Sequence, residues 1–287
     1  MRHQIFIYNN RLLIIKNGIK DLYPESYFNC EITGDKESVE SITSSDVIDF
    51  YNQFLQLSSC QLFICSQFDD LSIFDVLGLS FKHSNSSPSL TQKLGPLNQH
   101  PLISKQILPF NSEDNDTVYF ALGFEVPFLD VKYLLYLDLL AEAMSGSLTS
   151  LMFKQIRQAL GGVYALSADT LVFDDKLVFM AFTSAPMDSD YSKHFLALAD
   201  CFETLLSEKF LHDNLPTFLK AIKRSNYSIC TGLGLMDLDI SYLETSNTYS
   251  YQDYLDALNN FNESDFISFI SSLTDMQIIV STSIGED

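Results

Sequence analysis

The chain repeats itself once at long range, and that repeat limits the folds open to it more than any other feature. Ser45-Asp46-Val47-Ile48-Asp49-Phe50 returns as Ser264-Asp265-Phe266-Ile267-Ser268-Phe269, an offset of 264 − 45 = 219 residues. Each copy starts a short amphipathic helix. In the first, Val47, Phe50, Tyr51 and Phe54 fall at i, i+3, i+4 and i+7, with Ser45 placed as the N-cap. A short apolar strand follows in both copies, Cys60–Ser66 in the first and Met276–Ser281 in the second. An offset of this length is that of a duplicated domain, not of a solenoid. The second copy closes a unit of 287 − 66 = 221 residues, whereas only 44 residues precede Ser45. The expected organisation is therefore the tail of one unit (residues 1–81), a linker (82–110) and one complete unit (111–287).

The linker rests on composition. Residues 82–110 hold three lysines, two histidines, no acid, and Pro88, Pro96, Pro101 and Pro109. Prolines and small polar residues at this density deny the stretch a regular ladder. In the complete unit, Thr117–Phe124 reads as a buried strand, and Asp130 caps a helix whose Leu134, Leu137, Ala141 and Met144 line one face. Gly146 ends that helix, and a shorter one is expected over Ser147–Ala159. Strands near Val163–Phe173 and Leu177–Ser184 meet at Asp174-Asp175. Long helices then cover Tyr191–Lys209 and Asn214–Ser228, with Pro216 in the first turn of the second, where its missing N–H costs least. Strands grouped between helical pairs give an α+β fold, helices on one face of a mostly antiparallel sheet.

The balance of 37 acidic against 17 basic side chains, net −20, argues against nucleic acid and anionic membranes as partners. No run approaches the roughly 18 to 20 apolar residues of a membrane span, and polar residues break Met1–Arg11 too early for a secretory signal. Cys30, Cys60, Cys65, Cys201 and Cys230 never form C-x-x-C and read as small buried hydrophobes of a reducing compartment. The expectation is a cytoplasmic protein. His3, His83, His100, His194 and His212 lack the short spacings that let one helix offer two metal ligands, so no metal and no cofactor are expected. His194 and His212 read as polar residues on helix faces. There is no G-x-S-x-G and no S-x-x-K, and Gly232-Leu233-Gly234 is a loop. Asp138 and Glu142, four apart on one helix, are either an acid/base pair or a solvated face; the acidic composition favours the face.

The stretch Ser145–Tyr164 is different. It ends a short helix on the cation Arg157, turns at Gly161-Gly162 and begins a strand with the phenol of Tyr164. Arg157 and Tyr164 could share one space there and hold a peptide carbonyl or a developing oxyanion. They could equally complement the helix C-terminus and fill the core, and charge and packing by themselves favour that second reading.

At these residues the chain resembles the insulinase or mitochondrial processing peptidase family, the inverted-zinc metallopeptidases. The pattern S-x-L-x-x-x-(I/L)-R-x-x-x-G-x-x-Y is approached by Ser147/Ser150, Leu151, Ile156, Arg157, Gly161 and Tyr164, with Leu151 one residue before the leucine position, which Met152 holds. Ile32–Thr43 with the Asp46 helix is similar to the end of the family's first domain, and Gly123-Phe124 with Pro127 and Asp130 to the start of its second. The resemblance implies a processing-peptidase-like fold in tandem units, which accounts for the 219-residue offset. It also implies a departure, because the zinc motif H-x-x-E-H is missing and the helix after Asp130 has no histidine. The chain would be a non-catalytic, substrate-binding subunit, with Arg157 and Tyr164 on the peptide backbone. A zinc-bearing chain of the same family, or a second copy in a homodimer, would be its partner. The alternative is a degenerate relative serving as an assembly or peptide-binding subunit with no proteolytic role.

Overall fold

The computed structural model describes residues 36–54, 103–105, 117–127, 130–163, 165–172, 176–187, 190–229, 249–273 and 279–282. Its elements are α1 (Lys36–Ser41), α2 (Ser44–Phe54), β1 (Ile103–Lys105), β2 (Thr117–Pro127), α3 (Val131–Ser145), a π-helix (Phe153–Gln158), β3 (Leu166–Val172) and β4 (Lys176–Pro186). They continue with α4 (Tyr191–Leu205), α5 (Glu208–Ile229), α6 (Tyr251–Asn259), α7 (Glu263–Ser272) and β5 (Ile279–Thr282).

The sheet runs β1-β5-β2-β4-β3, antiparallel except for the β1–β5 pair. The α+β class with an antiparallel sheet is as expected. β4 is buried at nine consecutive positions, Leu177 to Ala185, so it has no polar side to alternate with. Alternate residues of β2 and β4 (Val118, Phe120, Leu122 and Phe124; Leu177, Phe179, Ala181 and Ala185) join the helical core. Gly123 leaves no room for a side chain: a Cβ there would collide with the Phe179 carbonyl oxygen and the Met180 sulfur.

Four expectations change. Ile103–Lys105 lies inside the proline-rich segment yet pairs with β5, because the stretch between Pro101 and Pro109 keeps every N–H a ladder needs. α3 is buried on nearly every side instead of along one face: Leu135, Tyr136, Leu139 and Leu140 are as enclosed as Leu134 and Leu137. It packs on β3 and β4 on one side and on α5 and α6 on the other, the position of a central helix. The helix expected over Ser147–Ala159 forms only from Leu151 and widens to a π-helix. The Ser147 hydroxyl accepts the Thr149 N–H at 3.3 Å, a local turn that competes with the helix. Pro216 stands well inside α5, whose start at Glu208 follows a break confined to Leu206-Ser207.

The cap of α2 also moves. Thr43, not Ser45, is the N-cap: its hydroxyl faces Asp46 at 2.6 Å, and the Asp46 carboxylate accepts the Thr43 N–H at 2.7 Å. The carboxylate at the third helical position reaches back to the cap and so selects Thr43. Asn262 caps α7 in the same register, accepting from Ser264 and Asp265 N–H. The apolar strand expected at Cys60–Ser66 lies outside the described residues, whereas β5 falls on the second strand of the repeat.

Candidate functional site

α3 leads into the site. Asp130 accepts the Lys132 N–H at 3.0 Å and fixes the start; Gly146 donates to the Glu142 carbonyl and fixes the end. The Ser145 hydroxyl then accepts the Ala168 N–H at 2.7 Å, tying the end of α3 to β3 and closing the intervening residues into a loop. Within that loop the π-helix buries Ile156 and leaves Arg157 exposed. The Arg157 guanidinium lies over the Phe153 ring, 5.5 Å from its centroid, and makes no ion pair among the described residues. A cation held on an aromatic face without a carboxylate keeps all its donors for a ligand.

The Gly-Gly turn is as the sequence requires. Gly161 and Gly162 have φ of 71° and 69°, two successive left-handed residues that reverse the chain between the π-helix and β3. A Cβ on Gly162 would stand 2.8 Å from Pro186 Cγ. Tyr164 lies outside the described residues, so Arg157 is the half of the predicted pair that can be placed.

His194 was missed. The sequence placed it on a polar helix face, but it is buried, with Nε2 3.2 Å from the Gly161 carbonyl oxygen and Nδ1 unpartnered. Projecting from α4, it fastens the turn from behind. Its only sequence signal is its place among the apolar residues Phe195 and Leu198, which is weak. His212 does stand on a helix face, 2.6 Å from Glu263, whose carboxylate raises the imidazole pKa through its hydrogen bond and charge.

The carboxylates of α3 do not form a solvated face. Asp138 is partly buried, accepts from Tyr254 at 2.7 Å, and is pushed up to about 6 by the burial. Glu142 folds over Gly146 and is raised for the same reason. At the N-terminal end of α3 a cavity of about 360 Å³ is bordered by Lys132, Tyr136, Asp256 and Asp265. Burial, then the charges of Asp265 and Asp130, push the Tyr136 phenol up to about 12. A 15-residue helix puts this cavity roughly 20 Å from the Arg157 loop. Cys201 is buried as expected, its thiol raised to about 12 by burial and donating to Gln155.

Comparison with known proteins bears on what this arrangement is. The model of the Peptidase M16 inactive domain matches residues 41–211. The chain belongs to the M16 peptidase family. This is the family whose motif the sequence resembles, and the matched span runs from α2 through the Arg157 loop to the start of α5. A protease from Helicobacter pylori superposes with a TM-score of 0.69 at 14% identity, covering 87% of this chain and 61% of that one. An M16-like peptidase from Alicyclobacillus acidocaldarius gives 0.66 at 15% identity, covering 98% and 67%. A chain of Complex III2 from Candida albicans gives 0.67 at 11% identity, covering 94% and 66%. At these identities the likeness is one of fold, and the chain spans about two thirds of each relative's length. Curated proteins provide no match.

The zinc of the inverted-zinc peptidases does not fit α3. Its buried side chains are Val, Leu, Tyr, Ala and Met, and it offers no nitrogen ligand. Asp138, one of its two carboxylates, is engaged by Tyr254. Among the described residues no group of three or more His, Cys, Asp or Glu could hold a metal, and no helix is long and apolar enough to cross a membrane.

Proposed function

We propose that this chain is a non-catalytic, substrate-binding subunit of a heteromeric zinc peptidase, with a partner of the same family carrying the metal. The observation that supports the reading most directly is the match to the family's inactive domain across the loop where Arg157 stands exposed and, among the described residues, free of ion pairs. In the complex, Arg157 and Tyr164 hold the carbonyl side of a bound peptide backbone. Their contribution is orientation, since a reacting carbonyl must be placed before it can be polarised. The unmatched acidity, net −20, favours peptides with basic residues. Cysteine usage favours the cytoplasm, and residues 1–81 and 111–287 are taken as the tail of a first unit and a complete second unit.

The test uses the chain together with the zinc-bearing partner it co-purifies with. The chain alone is inert and holds no stoichiometric zinc, whereas the complex cuts peptides. Replacing Arg157 by Ala lowers turnover tenfold or more, about 1.4 kcal/mol. Peptidase activity of the isolated chain, or an unchanged rate in the Arg157→Ala complex, overturns the assignment. The second reading, an assembly subunit with no proteolytic role, draws on the likeness to a chain of Complex III2 from Candida albicans. It predicts a stable complex that cuts nothing and whose partner lacks H-x-x-E-H.

A further inference from the structure

The two copies of the repeat form the same helical hairpin in two different surroundings. With a constant offset of 219, α1–α2 maps onto α6–α7. Val39 corresponds to Leu258, Ile42 to Phe261, Val47 to Phe266 and Tyr51 to Ile270. The caps map as well, Thr43 onto Asn262 and Asp46 onto Asp265. Leu258, Phe266 and Ile270 are at most 3% exposed, whereas Val39, Ile42, Val47 and Tyr51 are all more than half exposed. The apolar positions the two copies share are therefore used as core in one and left on the surface in the other, although Tyr254 and Leu255 of the buried copy are matched by Asp35 and Lys36 in the exposed one. Four large apolar side chains on one short hairpin form a patch of the kind that marks an interaction site.

The buried copy says what covers such a hairpin. α3 lies on it, with Tyr136 edge-on to Phe266 at 5.3 Å and to Phe261 at 6.0 Å, and Tyr133 stacked on Phe269 at 5.1 Å. The rim carries charge. Asp256 and Asp265 border the same cavity as Lys132 in the first turn of α3, whose ammonium pairs with the cap residue Asp130 at 3.4 Å. Their counterparts on the exposed hairpin are Glu37 and Asp46, so the acidic rim is kept.

We infer that the apolar face of α1–α2 is a docking surface for one helix of another polypeptide, taking the place that α3 takes on α6–α7. That helix carries two aromatic residues three apart on its apolar side and a lysine or arginine in its first turn. The basic residue faces Glu37 and Asp46, and the aromatics cover Val47 and Tyr51. A second copy cannot supply it, because α3 is enclosed within its own unit. The inference stands apart from the proposed proteolytic role and requires no zinc in the partner.

The probe is a fluorescent synthetic peptide with the sequence of residues 129–146, extended at its N-terminus by two lysines, titrated against the full chain and read by anisotropy. Saturable binding is expected, weakened at least tenfold by Val47→Glu or Tyr51→Glu in the chain and by Tyr→Ser at both aromatic positions of the peptide. Both chain positions are exposed, so an unchanged circular dichroism spectrum is expected of the variants. A Val47→Cys variant, its labelling located by peptide mass, should react rapidly with maleimide and be protected by the peptide. Absence of saturable binding, or binding indifferent to Val47→Glu, overturns the inference. So does slow labelling of the free Val47→Cys chain, which would mean that the chain's own residues cover the face.

Discussion

Asp138 gives the sharpest test of the packing around α3. Its carboxyl pKa is raised from 3.8 to about 6 because burial removes water from the ionised form, and the hydrogen bond from Tyr254 offsets only part of that. A shift of about two units makes ionisation in the folded state cost about 3 kcal/mol. The folded protein binds this proton more tightly than the unfolded chain does. Acidification therefore stabilises it, fully below pH 4, and the benefit is lost as pH rises through 6. Replacement by Asn keeps an acceptor for Tyr254 and abolishes the titration. In urea unfolding, Asp138→Asn should exceed the wild type by about 3 kcal/mol at pH 7.5 and by about half as much at pH 5.0. Groups common to both proteins cancel in that comparison. The lower pH stays above the pI of 4.4, where an uncharged protein would precipitate. An equal margin at both pH values, or a variant weaker than wild type at pH 7.5, would refute the desolvation of the Asp138 carboxylate.

Gly162→Ala should cost about 1 to 3 kcal/mol, combining a left-handed backbone with the approach to Pro186, whereas Gly161→Ala has open space around it and costs about 1 kcal/mol. Denaturant midpoints of the two variants give the order. Replacing His194 by Leu leaves the Gly161 carbonyl without its donor and should lower stability by about 1 to 2 kcal/mol, with faster amide exchange confined to residues near the Gly-Gly turn. Pro216→Ala restores the N–H that α5 lacks at that turn and should raise the calorimetric melting temperature, the gain being at most about 3 kcal/mol. A melting temperature that falls would mean that the proline's bend is needed for packing.

Where structure depends on neighbours in sequence, it could be read from the chain alone. The Asp130 cap, the end of α3 at Gly146, the Gly161-Gly162 reversal and the strands on either side of Asp174-Asp175 all follow from side chains acting within a few residues. The repeat is likewise a property of the string of residues. So is the family pattern around Arg157. What failed were statements about which side of an element meets solvent. α3 looked amphipathic because Leu134, Leu137, Ala141 and Met144 share one face, but β3 and β4 on one side and α5 and α6 on the other cover it, and Asp138 is partly buried with the rest. His194 looked polar until α4 was laid against the Gly161 carbonyl. Most telling, Val47 and Phe266 occupy the same register of the same repeated hairpin, and one is exposed while the other is buried. Local pattern sets which face of a helix is apolar, because side-chain direction follows the backbone period. Whether that face becomes core or surface depends on segments more than a hundred residues away, or on another chain, and only the tertiary structure decides it.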